Sequence, residues 1–233
     1  MSVSTGALAP ASAEGIDLVP RRSPLPGRTL ALLVAIVLGF VGNMWYSLAA
    51  YHGDADIKLS WLTAHQSAWV AATYGTAVNA LGVIAVLLAV CILVRGKGSA
   101  WATTALVVGA IGTVLYVVST AVPMQMLGLG KQSVITPQQT SSLIDYLSKH
   151  DHIQGAVAFP GFLLLLVAQI AVFVALLRSR AVPLWVPIVF LVGGILDALF
   201  ASGGAVTAIC EIPQAVAMIA LGWYAYRTST RTA

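Results

Sequence analysis

Two carboxylic acids stand inside strongly apolar sequence, Asp197 in Gly193-Gly-Ile-Leu-Asp197 and Glu211 in Ala208-Ile-Cys-Glu211. They flank a short Ser202-Gly-Gly204 turn. If both flanks are helical, the rise of about 1.5 Å per residue puts each acid roughly 10 Å below the turn, on consecutive antiparallel helices. Charged groups at such depth are costly, and they face a protein interior or a wet cavity. No Lys, Arg or His falls within the apolar segments. Neutralisation must therefore come from protons, a bound cation, a cationic ligand or strong hydrogen bonds. Two acids brought together in apolar surroundings can share one proton. Asn43, Tyr46, Asn79, Thr113 and Gln214 are the polar residues at similar or greater depth that would complete a ligand-binding set with Asp197 and Glu211. Tyr74 is a further donor on the same reasoning. Pro213, two residues after Glu211, removes a helical hydrogen bond and frees a carbonyl, which favours a cavity.

This chemistry supports three readings. The first is an outer-leaflet intramembrane polar pocket that binds or translocates a small ligand or ion, hydrophobic or cationic. The second is an integral membrane enzyme, with Asp197 and Glu211 as catalytic acid and base on a lipid-like, isoprenoid substrate. The third is a structural or accessory subunit, in which the two acids form a hydrogen-bonded packing pair.

The histidines form a second, weaker constellation. His65, His150 and His152 lie in connections between apolar segments, and Met124 and Met126 stand at the far end of one of these. Histidine with methionine would suit copper, and paired histidines could ligate haem, but the spacing matches no specific metal motif. No cofactor can be named. Cys91 and Cys210 fall at depths roughly 20 Å apart, too far for a disulfide. Walker, His-Glu-x-x-His, Cys-x-x-Cys and Gly-x-Ser-x-Gly motifs are absent from the sequence.

The elements that must position these residues are membrane helices. Of 233 residues, 59% are hydrophobic and 9% charged, a balance unsuited to a soluble domain. Six apolar runs, near 30–51, 68–94, 101–122, 154–177, 183–202 and 205–226, read as spans of an all-α polytopic bundle. Residues 1–28 read as a flexible tail without a cleavable signal, 29–227 as the transmembrane domain with outer loops 52–66 and 123–152, and 228–233 as a second tail. Arg21, Arg22, Arg28, Arg95, Lys97, Arg178, Arg180, Arg227 and Arg231 all fall on one side of a six-span chain, against Lys58, Lys131 and Lys149 on the other. The positive-inside rule then places both termini in the cytoplasm, with the chain in the plasma membrane. The net charge of +4 is accounted for by these anchors, so lipid and not nucleic acid is the expected partner.

Three runs share a signature of glycine, a polar residue four positions on and an aromatic seven positions on: Gly39/Asn43/Tyr46, Gly109/Thr113/Tyr116 and Gly193/Asp197/Phe200. One and two helical turns separate these positions, so each set lies on one face. Trp101 and Trp185 stand eight residues before Gly109 and Gly193. The pattern suggests three tandem helical hairpins, with small residues admitting close approach and leaving self-association into oligomers open. In the outer loops, Thr63-Ala-His-Gln66 and Thr136-Pro-Gln-Gln139 resemble capping boxes. The second would open an amphipathic surface helix over 137–149. The phrase Leu-Leu-Arg178-Ser-Arg-Ala-Val-Pro-Leu-Trp185, followed by the apolar Gly-Gly segment, resembles uncharacterised six-span proteins of high-GC Gram-positive bacteria. That resemblance implies a bacterial six-helix bundle and no particular activity.

Overall fold

A computed structural model describes residues 26–49, 65–131, 152–200 and 204–231, together with Thr136, Gln138, Gln139, Ser142 and Tyr146. Six helices follow in chain order: α1 Pro26–Ala49, α2 Gln66–Leu93, α3 Ser99–Lys131, α4 His152–Ser179, α5 Trp185–Leu199 and α6 Gly204–Arg231. Five of them are long and apolar enough to cross a membrane, whereas α5 is a shorter apolar helix. The protein is an all-α, multi-pass membrane protein.

Packing is inside out relative to a soluble bundle. Alanine and valine fill the interior, while Leu38, Val41, Trp45, Leu81, Val107, Ile111, Phe159 and Ile209 face outward. Consecutive helices run antiparallel, because their contacts climb on one helix as they descend on the next. Gly39 meets Gly82 and Gly42 meets Gly75 across α1 and α2; Gly109 meets Ala168 and Gly112 meets Gly161 across α3 and α4. Gly193 of α5 rests on the backbone of Gln214 in α6. Each signature glycine therefore lies at a helix crossing. Between α1 and α6 a buried hydrogen bond of 2.6 Å joins Thr29 and Ser229, which places the first and last helix ends together.

The two halves of the bundle are held differently. The apolar core is drawn from Ile36, Val86, Val90, Ala102, Ala105, Val172, Leu176, Val186, Leu221 and Ala225, all toward the end that carries the basic residues. The opposite half is closed by glycine crossings and polar contacts. Sparse side-chain volume there leaves room for buried polar groups.

The short helix has local causes. Arg180, in the left-handed region at φ 51, ends the α4 turn, and the hydroxyl of Ser179 accepts from the Ala181 N–H at 3.3 Å. Pro183 follows, and Pro187 is tolerated because it sits in the first turn of α5, where its missing N–H is not needed. At the far end the Thr207 hydroxyl donates to the Phe200 carbonyl at 2.6 Å, satisfying a helix-end acceptor and binding α5 to α6. The 15 residues of α5 extend only about 22 Å, below the roughly 30 Å of a hydrocarbon core. The described helix is thus shorter than the apolar run expected over 183–202, of which 201 and 202 lie outside the described residues.

Other boundaries also moved. Helix α2 begins at Gln66 with His65 as its N-cap residue, and Thr63, from which a capping box is expected, lies outside the described residues. Helix α3 runs on to Lys131, making the start of the connection expected over 123–152 helical. The second box is formed: the Thr136 N–H donates to Gln139 Oε1 at 2.9 Å, and the Gln139 N–H donates to Thr136 Oγ1 at 3.3 Å. Gln138, Gln139, Ser142 and Tyr146 are helical, and the rest of 137–149 lies outside the described residues. Both cysteines are free thiols; Cys91 donates to the Ala102 carbonyl at 3.4 Å.

Candidate functional site

The last two turns of α1 and the first two of α6 build a polar site around Glu211. Asn43 and Ser47, one helical turn apart, point from α1 toward α6. The Ser47 hydroxyl donates to Glu211 Oε1 at 2.6 Å. The Asn43 side chain also faces this carboxyl, and its Oδ1 accepts from Asn79 Nδ2 of α2 at 2.7 Å. Glu211 is only 5% exposed, and its Oε2 has no hydrogen-bond partner among the described residues. A buried carboxyl oxygen left unpaired is costly and marks a place where something else is expected to bind.

Asp197 joins this group from the last turn of α5, close enough to Glu211 for the two carboxyls to act on each other electrostatically. Tyr116 of α3 lies within electrostatic range of Tyr46, Asp197 and Glu211. The side chains of Asp197, Tyr46 and Tyr116 make no hydrogen bond to the described residues, although the Tyr116 carbonyl accepts from the Ser119 hydroxyl at 2.6 Å. Residues from α1, α2, α3, α5 and α6 thus converge on two acids. The C-terminal carbonyls of α5 add negative potential beside Asp197. No basic side chain among the described residues reaches the site, since Arg28, Arg95, Lys97, Arg178, Arg180, Arg227 and Arg231 occupy the other end of the bundle. The arrangement can hold a cation or a proton, and it offers nothing to an anion.

The sequence-expected residues divide as follows. Asn43, Tyr46, Asn79, Asp197 and Glu211 are brought together. Thr113 is buried but spends its hydroxyl on the Gly109 carbonyl of its own helix, at 2.7 Å. Gln214 lies at the crossing with Gly193, and no described contact links it to the carboxyls. Tyr74 is 67% exposed and faces outward, because its register on α2 points away from α1. His65 is exposed. His150 and the side chain of His152 lie outside the described residues, and among those described no group of three or more His, Cys, Asp or Glu could hold a metal.

Ser47 and Tyr116 are the members that sequence reasoning left out of the site. Ser47 was legible: it stands four residues after Asn43, on the same helical face. Gln169 is another overlooked intramembrane polar residue. It packs over Gly194 and donates to the Phe190 carbonyl at 3.0 Å, tying α4 to α5.

A family profile described as a domain of unknown function, DUF4386, matches residues 29–226. The chain belongs to the DUF4386 family. The matched region runs from α1 through α6, so every residue of the site falls inside the family's domain. No curated protein and no solved structure matches the chain.

Proposed function

We propose that this DUF4386 protein binds a small cation, inorganic or organic, in an intramembrane pocket whose principal ligand is Glu211. The observation that carries this reading is the buried Glu211 carboxyl with one oxygen bonded by Ser47 and the other unpartnered among the described residues. Asp197, Tyr46 and Tyr116 supply further oxygen ligands, and Asn43 and Asn79 fix the α1–α2 wall. The test is a thermal-shift screen of the detergent-solubilised protein against alkali and divalent cations, polyamines and quaternary ammonium compounds, with neutral and anionic solutes as controls. At least one cation is expected to raise Tm saturably in the wild type and to have no effect on Glu211→Gln. Absence of any cation-selective shift, or its persistence in Glu211→Gln, would sink the reading.

The same reading sets the pocket toward the outer leaflet, with both termini cytoplasmic and α5 crossing the remaining thickness as the sixth pass of a hairpin series. The Thr29–Ser229 bond supports an even number of passes between the two helix ends it joins. Reporter fusions after Lys97, after Arg180 and after Arg231 are expected to be active only as cytoplasmic reporters. A periplasmic signal from the last of these, with the first two cytoplasmic, would mean that α5 does not cross.

A further inference from the structure

At the opposite end of the bundle from the carboxyls, two short connections meet. Arg95 and Lys97 between α2 and α3, and Arg178, Ser179 and Arg180 between α4 and α5, line one cavity of about 620 Å³. The juxtaposition is built into the backbone. Gly98 adopts φ 100 and packs so closely on α4 that a Cβ there would lie 2.8 Å from the Ala175 carbonyl oxygen. Gly96 adopts φ 77. Arg180 adopts φ 51, a region that disfavours any side chain by about 1–2 kcal/mol and that glycine occupies freely. An arginine is thus held where glycine would be more stable.

Four cations line this cavity, and no described carboxylate is available to them. The only described acids, Asp197 and Glu211, belong to the other site; Asp197 is twelve residues along α5 from Trp185, about 18 Å. Orientation by the positive-inside rule needs positive charge on this side of the membrane, but it does not need four cations converging on one concavity. Trp101 and Trp185, each in the first turn of the helix that leaves a lining loop, are 44% and 46% exposed. Tryptophans in that position mark the level of the lipid headgroups. Arginine forks pair with phosphate oxygens through two hydrogen bonds at once, and Lys97 adds a point charge.

We propose that this cavity binds phosphate, and that its position at the headgroup level makes an acidic phospholipid the source. With four cations and room for more than one phosphate, a diphosphate lipid of the cardiolipin type fits better than a monophosphate lipid. Basic pockets between membrane helices are suited to such headgroups.

The test is native mass spectrometry of the full chain in mild detergent, titrated with cardiolipin, phosphatidylglycerol or phosphatidylcholine, each with and without inorganic phosphate. Retention is expected to be at least fivefold higher for cardiolipin than for phosphatidylcholine, with phosphatidylglycerol between them, and insensitive to millimolar inorganic phosphate. The Arg95→Gln/Arg178→Gln variant is expected to lose that preference. Arg180→Gly keeps the proposal falsifiable if the double variant folds poorly: it is expected to melt at a higher temperature than wild type while losing cardiolipin preference. Equal retention of all three lipids, or unchanged preference in Arg180→Gly, overturns the site. Displacement of cardiolipin by inorganic phosphate assigns the cavity to a soluble anion and overturns the lipid source.

Discussion

Gly42→Leu is expected to abolish the folded bundle, and Gly42→Ala to destabilise it by about 2–3 kcal/mol, at the upper end for overpacking. A Cβ on Gly42 would sit 2.5 Å from the Gly75 carbonyl oxygen, and one on Gly39 would sit 2.6 Å from the Gly82 Cα. Backbone meets backbone at both crossings, so no flexible side chain can yield, and α1 and α2 must move apart. In lipid, helices gain no hydrophobic free energy by associating, so close packing and interhelical hydrogen bonds carry the association. Separation therefore removes a large share of what holds this half of the bundle. It also pulls Asn43 from Asn79 and withdraws the wall that carries Ser47 toward Glu211. Gly27→Ala is the control, since nothing lies within 4 Å of a Cβ at that position. It should be neutral, or stabilising by less than about 1 kcal/mol through reduced freedom of the unfolded chain. Denaturant titration in detergent, followed by helix content and tryptophan emission, measures both. Equal midpoints for Gly42→Ala and Gly27→Ala would show that the glycine crossings are not what holds α1 to α2.

The helices were legible in the sequence because apolar runs of about twenty residues separated by basic or polar connections have few alternatives. Their ends were less legible. Composition alone carries the fifth run to residue 202, whereas turn chemistry at Pro183 and the Thr207–Phe200 bond confines α5 to Trp185–Leu199. The Thr207 contribution comes from the next helix, so no local pattern announces it. The two acids were legible as a pair because depth follows from counting residues to a turn. The companions were only half legible, because depth does not fix which way a side chain points. Tyr74 and Asn79 lie on the same helix, yet only Asn79 faces α1. Tyr116 enters through the pairing of α3 with its neighbours, which is tertiary information. The basic loops are legible only as orientation anchors, since charge can be counted in a sequence and the convergence of Gly98 on Ala175 cannot.

Glu211→Met is expected to raise the stability of the folded protein by on the order of 1 kcal/mol while removing its response to cations. Methionine fills a similar volume without a buried oxygen that lacks a partner. The Ser47 hydroxyl can turn back to the Asn43 carbonyl four residues earlier, and Asn43 keeps the bond its Oδ1 accepts from Asn79, so the Asn43 Nδ2 facing the carboxyl is the one donor whose acceptor the change removes. A carboxyl retained as a packing pin would behave oppositely, and its loss would cost about 1–3 kcal/mol. Ser47→Ala alone leaves Glu211 buried without its one close hydroxyl donor and is expected to cost about 1–3 kcal/mol. Added to Glu211→Met, the same alanine change should cost little, because the group it would have left unsatisfied is gone. The double-mutant cycle over Ser47 and Glu211, read from unfolding midpoints in detergent, isolates that coupling. A carboxyl that destabilises its own fold, partly relieved by one serine and fully relieved by a bound cation, is what a binding site in lipid requires. An additive cycle, or a Glu211→Met variant less stable than wild type, would make Glu211 a structural group and leave the cation reading without its principal ligand.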